Sequence, residues 1–304
     1  MTILEQLPEG SRVCIIRLRS LGDCVLTTPA IGLLKKRRPD LQIGVAVEPR
    51  FAAVFEGNPD VAHLIGPNWR QVRAFRPVLC LNLHGGTRSQ WMTALSGAKW
   101  RAGFAHHSVT LTYNLKIPRA QKILGVNGVV HTAEHLASAM FALGVPIQPI
   151  PRASLFADLS PISGRYAVIH PFASAPDKTW PAERFCEVAR YLQLSSIKPV
   201  FLAGPGDNAA PFATHTIVQG SLRDAKAVIS KAAVFAGNDS GPAHIAAAFG
   251  VPSIVLFGNS NPAIWGPWQT ESEIIAGFDG LDKVSVSRVI AALERLRVME
   301  GAHA

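Results

Sequence analysis

The sequence predicts an α/β protein built from two doubly wound, parallel-sheet domains. Three observations carry that expectation. Short β-rich apolar runs alternate with helical runs, the pattern of parallel strands joined by helices. A proline-rich joint interrupts the pattern near the middle, with three prolines in residues 146–151 and Pro161, Ser163 and Gly164 soon after. Beyond the joint the alternation starts again. The 304 residues, 48% of them hydrophobic, suffice for two buried cores.

In the first half, residues 12–17 (RVCIIR) read as a strand and Leu18 to Asp23 as a tight turn. Val25, Leu26, Ala30, Leu33 and Leu34 then recur at helical spacing until Lys35-Lys36-Arg37-Arg38 and Pro39. Those four cations either complement the negative end of the helix or meet an anionic membrane. Residues 42–47 and 77–83 read as buried strands, and 51–56 and 87–95 as helical. From 104 to 122 the periodicity fades while His106, His107, Lys116, Arg119 and Lys122 accumulate, which predicts a basic loop. His131 and His135 share one face of a helix closed by Gly144. Their spacing permits a shared metal, but no zincin motif surrounds them, so a structural pair is expected.

In the second half, residues 166–170, 199–203, 232–236 and 251–257 read as strands. Residues 181–194, 222–231 and 245–249 read as helices. Residues 286–298 form an amphipathic helix with Val289, Ile290, Leu293 and Leu296 on one face. The expected domains are 1–155 and 156–285, followed by a terminal helix within 286–304. Two such halves predict a cleft between them, a usual place for small ligands.

Composition narrows the function. Cys14, Cys24, Cys80 and Cys186 are scattered, without zinc-like spacing, and read as reduced thiols of a cytosolic protein. No basic start followed by an apolar core suggests a secretory signal. The stretch from Ser240 to Thr270 lacks charge, but Gly250, Pro252, Asn259, Pro262 and Gly266 break it into pieces too short to span a bilayer. The net charge of +9 is uneven: residues 1–155 carry 18 Lys and Arg against 8 Asp and Glu, the remainder 12 against 13. The basic half calls for an anionic partner. With no zinc finger, basic zipper or aromatic RNA-binding signature, acidic glycan or anionic lipid is expected, and no nucleic acid.

Three turns hold candidate chemistry. In Asp239-Ser240-Gly241-Pro242-Ala243-His244, Pro242 suits a first helical position, Ser240 or Asp239 can cap the helix, and the open amides favour a phosphate. Asn238-Asp239-Ser240 also matches a glycosylation acceptor, which carries no weight in a cytosolic protein. Asp23 follows Gly22 at the start of the first helix, where the positive helix end favours a carboxylate that can accept a proton. Arg17 and Arg19 flank it and can grip an acidic substrate. In HPFASAPDKTW (170–180), Lys178 can present a cation to a phosphate leaving group. Gly204-Pro205-Gly206-Asp207 lacks the third glycine of a dinucleotide fingerprint, and no P-loop occurs, so nicotinamide and P-loop chemistry are disfavoured.

Taken together, RLRSLGDCVLTTPAIGLLKKRRPD, HTAEHLASAMFALGV, HPFASAPDKTWP and GNDSGPAHIAAAFGVPSIVLFGNSNP resemble, in order, the signatures of glycosyltransferase family 9, the lipopolysaccharide heptosyltransferases. The resemblance implies a GT-B fold, with an acceptor domain, a nucleotide-sugar domain and a last helix crossing back. It implies heptose transfer from ADP-heptose, or a related nucleotide sugar, to a lipid-linked acidic core oligosaccharide. Transfer would invert the anomeric carbon without metal or other cofactor, in the cytoplasm at the anionic inner face of the inner membrane. Asp23 is similar to the family's general base. Lys178 with Ser174 and Thr179 would meet the donor phosphates, and Asp239 the sugar hydroxyls. Ser240 and Gly241 would supply amides to the pyrophosphate, and His244, one turn further on, and Asp207, in a segment that commonly carries a Glu in the family, would join the donor-binding residues. Gln219 to Leu222 is the expected neighbourhood of the adenine. The alternatives are another nucleotide sugar or acceptor, or a non-catalytic module of this fold at the membrane.

Overall fold

The computed structural model describes residues 1–106 and 110–296. The chain divides into two compact units, Met1–Phe156 and Ala157–Ala304. Each is a six-stranded, fully parallel sheet with helices wound on it.

The first unit contains β1 (Arg12–Ile16), α1 (Leu21–Arg37), β2 (Gln42–Ala46), β3 (His63–Ile65), α2 (Trp69–Ala74) and β4 (Leu79–Asn82). It continues with α3 (Thr87–Ala94), β5 (Trp100–Phe104), β6 (Leu115–Ile117), α4 (Ala120–Leu124) and α5 (Thr132–Leu143). The sheet order is β3-β2-β1-β4-β5-β6. Winding outward in both directions from β1 leaves a switch point between β1 and β4, where ligands bind in open α/β sheets. Central strands are covered on both faces, so they read as unbroken apolar runs rather than alternating ones.

The second unit contains β7 (Tyr166–His170), α6 (Ala182–Leu194), β8 (Lys198–Ala203), β9 (Thr216–Gln219), α7 (Leu222–Ile229) and β10 (Val234–Asn238). There follow α8 (Gly241–Phe249), β11 (Ser253–Phe257), α9 (Pro262–Trp265), β12 (Ser272–Ala276) and α10 (Val286–Arg295). Its order, β12-β11-β10-β7-β8-β9, repeats that of the first unit and puts the switch point between β7 and β10. Trp180, Phe185, Phe201 and Leu293 are among the fully buried side chains of its core.

Several local expectations change. Residues 104–122 are not one loop: β6 pairs with β5, and α4 follows. His107 of that stretch lies outside the described residues. The helical segment expected at 51–56 is a 3₁₀ turn, Pro49–Val54, opened by Pro49 and closed at Phe55, whose amide donates to the Ala52 carbonyl at 2.9 Å. In the basic cluster closing α1, Lys35 donates to the Leu41 carbonyl at 2.8 Å and Arg38 pairs with Asp40 at 2.7 Å, so both serve the fold. His131 caps α5, its Nδ1 accepting the Ala133 amide at 3.1 Å, while His135 stacks on Phe104 with ring centres 4.0 Å apart. Helix α10 packs through Val289, Ala292 and Leu293 into the core of the second unit. Residues 297–304 lie outside the described residues.

Candidate functional site

In the first unit the site is built at the carboxyl ends of β1, β2 and β4. Asp23 is the third residue of α1. Its Oδ2 accepts the Ser20 amide at 3.3 Å and the Ser20 hydroxyl at 3.1 Å, so the carboxylate is tied to the helix start rather than being its cap. Its Oδ1 faces Arg17 Nη1 at 3.5 Å.

Arg17 is 5% exposed and also donates to the Leu83 carbonyl just beyond β4. Burial opposes its charge and Asp23 supports it. Arg17 is thus turned inward, onto Asp23, whereas Arg19 is exposed at the rim. Gly22 is buried within the first turn of α1. Cys24, next to Asp23, donates its thiol to the Arg17 carbonyl at 3.8 Å, and burial pushes that thiol up to about 12, so it stays protonated.

Three neighbours were not singled out by the sequence. His84 stands beside Arg17, Asp23 and Arg19, and burial together with the Arg17 charge lowers its pKa, which keeps the ring neutral. Asn82, fully buried at the end of β4, holds the loop through its Oδ1, which accepts the His84 and Gly85 amides, each at 3.0 Å. Its Nδ2 donates to Ser89 Oγ at 3.0 Å and Tyr113 Oη at 2.9 Å. Glu48, past β2, takes Arg50 at 2.9 Å and Arg88 at 3.6 Å.

In the second unit the site lies at the carboxyl ends of β7, β10 and β11. Lys178 Nζ is 3.5 Å from Asp239 Oδ2, which places a cation beside the start of α8. The expected cap is absent. Ser240 occupies the N-cap position without a side-chain cap bond, its Oγ is buried with no hydrogen-bond partner, and the Asp239 carboxylate faces Lys178 instead. No side chain caps the start of α8: Ala243 N donates to the Ser240 carbonyl at 3.2 Å and Pro242 has no amide, so the Gly241 amide is the first-turn donor that an outside acceptor would meet. Gly241 opens the helix and His244 is buried one turn in.

The turn that carries Lys178 is fixed from below. Asn238 Oδ1 accepts the Trp180 amide at 3.1 Å and its Nδ2 donates to the Pro171 carbonyl at 2.8 Å. Asn259 Nδ2 donates to Asp177 Oδ2 at 2.9 Å, and Gly258 is needed because a Cβ there would stand 2.4 Å from the Asp177 carbonyl oxygen. Ser174 and Thr179 line a shallow pocket of about 540 Å³ with Pro176 and Pro181. Thr179 Oγ1 donates to the Ala175 carbonyl at 2.9 Å. Asp207 is spent on its own loop, accepting the Gly204 amide at 2.7 Å, and Gln219 donates to the Gly204 and Asp207 carbonyls at 3.0 Å. Among the described residues no group of three or more His, Cys, Asp or Glu is arranged to hold a metal ion.

A carboxylate among donors at one switch point and an open helix start with a lysine at the other suit a base and an anion site respectively. Comparison with known proteins gives these features a family. The chain is 26% identical over 300 residues to lipopolysaccharide heptosyltransferase 3 of Escherichia coli, covering 83% of this chain and 84% of that protein. Among solved structures, the glycosyl transferase family 9 protein from Veillonella parvula superposes with a TM-score of 0.82 at 22% identity, over 95% of this chain and 97% of that one. The E. coli heptosyltransferase WaaC, solved with ADP, superposes with a TM-score of 0.78 at 21% identity, over 94% and 99%. The two six-stranded parallel sheets share this GT-B fold. The model of glycosyltransferase family 9 (heptosyltransferase) matches residues 68–286, so the chain belongs to that family and is a glycosyltransferase.

Proposed function

We propose that this enzyme moves a heptose from ADP-heptose to the inner core of lipopolysaccharide, with inversion at the anomeric carbon and without a metal. The open, uncapped start of α8 beside Lys178 is the observation that carries this reading. A nucleoside diphosphate leaving group develops negative charge as the bond from the anomeric carbon to the phosphate oxygen breaks. Helix amides, the Ser240 hydroxyl and the Lys178 ammonium answer that charge in place. Asp239, oriented by Lys178, accepts hydrogen bonds from sugar hydroxyls, and Ser174 and Thr179 border the diphosphate. A heptosyltransferase of the same fold solved with ADP supports the nucleotide, and the name of the relative from E. coli supports the acceptor.

Asp23 acts as the general base. It takes the proton of the acceptor hydroxyl as that oxygen bonds to the anomeric carbon, and ADP departs with the electron pair of the broken bond. Ser20 and Arg17 fix one orientation of the carboxylate, and Arg19 offers an exposed guanidinium to acidic groups of the acceptor. The protein works at an anionic membrane surface, a reading supported by the 18 Lys and Arg against 8 Asp and Glu in residues 1–155. No helix among the described residues is long and apolar enough to cross a membrane.

The test is Asp23→Asn. Turnover should fall by roughly 10²–10⁴-fold while ADP affinity stays within a few-fold of the parent. Unchanged turnover removes Asp23 from the mechanism. Since Asp207 is bound to its own loop, it leaves the choice of nucleotide to other groups, and a thermal-shift panel of ADP-, UDP-, GDP- and dTDP-sugars decides between ADP-heptose and another donor.

A further inference from the structure

Residues 61–133 hold nine Lys and Arg and no Asp or Glu. This stretch builds the neighbouring helices α2 and α3 of the first unit, and large apolar side chains stand in water on them: Trp69 is 39% exposed, Trp91 56% and Leu95 40%. Trp91 and Leu95, four residues apart, share one side of α3, and Arg88 lies on the same stripe. Ser89, Gln90, Met92 and Thr93 occupy the other side and are buried.

The two helices form a continuous face. Arg88 donates to the Pro67 carbonyl, tying the first turn of α3 to the loop before α2. The Arg70 guanidinium lies 5.5 Å from the centre of the Trp69 ring. The Arg73 stem passes beside Gly97, just beyond Leu95. Leu111, 92% exposed, stands on the turn Thr110–Thr112, which packs on α3.

A single exposed apolar residue is ordinary. Here two tryptophans and two leucines adjoin cations with no acid in the segment that supplies them. Indole rings settle at the headgroup level of a bilayer, and the surrounding cations are drawn to anionic headgroups. We infer that this face, centred on Trp91 and Leu95, docks the enzyme on an anionic phospholipid bilayer. The inference deepens the membrane association proposed above and rests on it. A second copy of the chain would bring two cationic faces together, and a nucleic acid would leave Leu95 and Leu111 without a contact. Docking would also serve the site: Arg88 reaches Glu48 Oε1 at 3.6 Å, and Glu48 follows β2 at the carboxyl edge of the sheet, the edge at which α1 starts with Asp23 in its first turn.

The test uses the full chain and sedimentation with vesicles of phosphatidylglycerol and phosphatidylcholine, against vesicles of phosphatidylcholine alone. The parent should bind the anionic vesicles roughly ten-fold more tightly or better, losing the advantage at high salt. The double variants Trp91→Ser/Leu95→Ser and Arg70→Glu/Arg73→Glu should each lose about ten-fold in that binding. Both should keep the parent's circular dichroism, thermal midpoint and turnover on a delipidated acceptor. Equal vesicle binding by parent and variants, or equal binding to both vesicle types, overturns the docking face. A dimer in light scattering that Trp91→Ser/Leu95→Ser converts to monomer, with vesicle binding unchanged, assigns the face to self-association and also overturns it. Loss of vesicle binding with turnover intact leaves the transferase reading standing; vesicle binding without turnover on any acceptor counts against that reading alone.

Discussion

Arg17 Nη1 lies 3.5 Å from Asp23 Oδ1, and the same guanidinium reaches the Leu83 carbonyl past the neighbouring strand. The proposed base is therefore held by a group anchored across the switch point. A bond between the segments that follow two adjacent strands sets where a side chain on the first helix points.

That anchoring predicts a measurable coupling. Arg17→Met leaves Leu83 without its donor and Asp23 without its cation, and should lower stability by about 2–4 kcal/mol in urea unfolding. Asp23→Asn should also destabilise, because it leaves a buried guanidinium without its counter-charge. The double variant should be more stable than the sum of the two losses by at least about 1 kcal/mol. Losses that add within about 0.5 kcal/mol mean the two side chains do not depend on each other.

Gly258 contacts no donor group in the proposed site, yet it controls where Lys178 stands. A methyl group there meets backbone at 2.4 Å, and backbone yields only by moving the turn 176–178. Gly258→Ala should weaken ADP binding by about ten-fold, near the effect of Lys178→Met, and cost about 1–3 kcal/mol of stability. Calorimetric titration of both variants with ADP is the check. Parent-like affinity in Gly258→Ala refutes the role of the turn's position.

His170 gives a pH dependence with a definite sign. Its ring is buried with Nδ1 3.0 Å from the Leu202 carbonyl, and burial outweighs that bond and nearby Asp207, so its pKa is lowered. The folded chain then binds fewer protons than the unfolded one below the ordinary imidazole value of about 6.5. This contribution to stability is complete above that value and is lost as pH falls below it, by up to about 1.4 kcal/mol per pH unit until the folded pKa is reached. Urea midpoints measured downward from neutral pH should fall, and His170→Gln should flatten the fall. An equal slope in the variant assigns the effect to other groups.

The long central strands were legible because burial on both faces writes them as unbroken apolar runs, as at residues 166–170. Edge strands were not: His63–Ile65 and Leu115–Ile117 are three residues each, too short to show any period. Asp23, Lys178 and Asp239 were accessible because strand ends followed by helix starts have a local signature. Asn82, His84, Asn238 and Gly258 have none, since their roles lie in partners far along the chain. Asn238 reaches Pro171 across 67 positions. Its apparent glycosylation pattern is a coincidence of a side chain that is 0% exposed and fully bonded within the fold. The missing cap on α8 was equally invisible, because Ser240 has the composition of a cap and only its geometry shows that it is not one.

Asn82 and Asn238 end the fourth strand of their respective sheets, and each holds the loops over its switch point with a buried amide. Two mounts of one design carry two different tools. Since each mount is fixed from beneath, the exposed loop residues above it are free to diverge. Substitution of those loop residues leaves both amide anchors, and the strand ends they hold, in place.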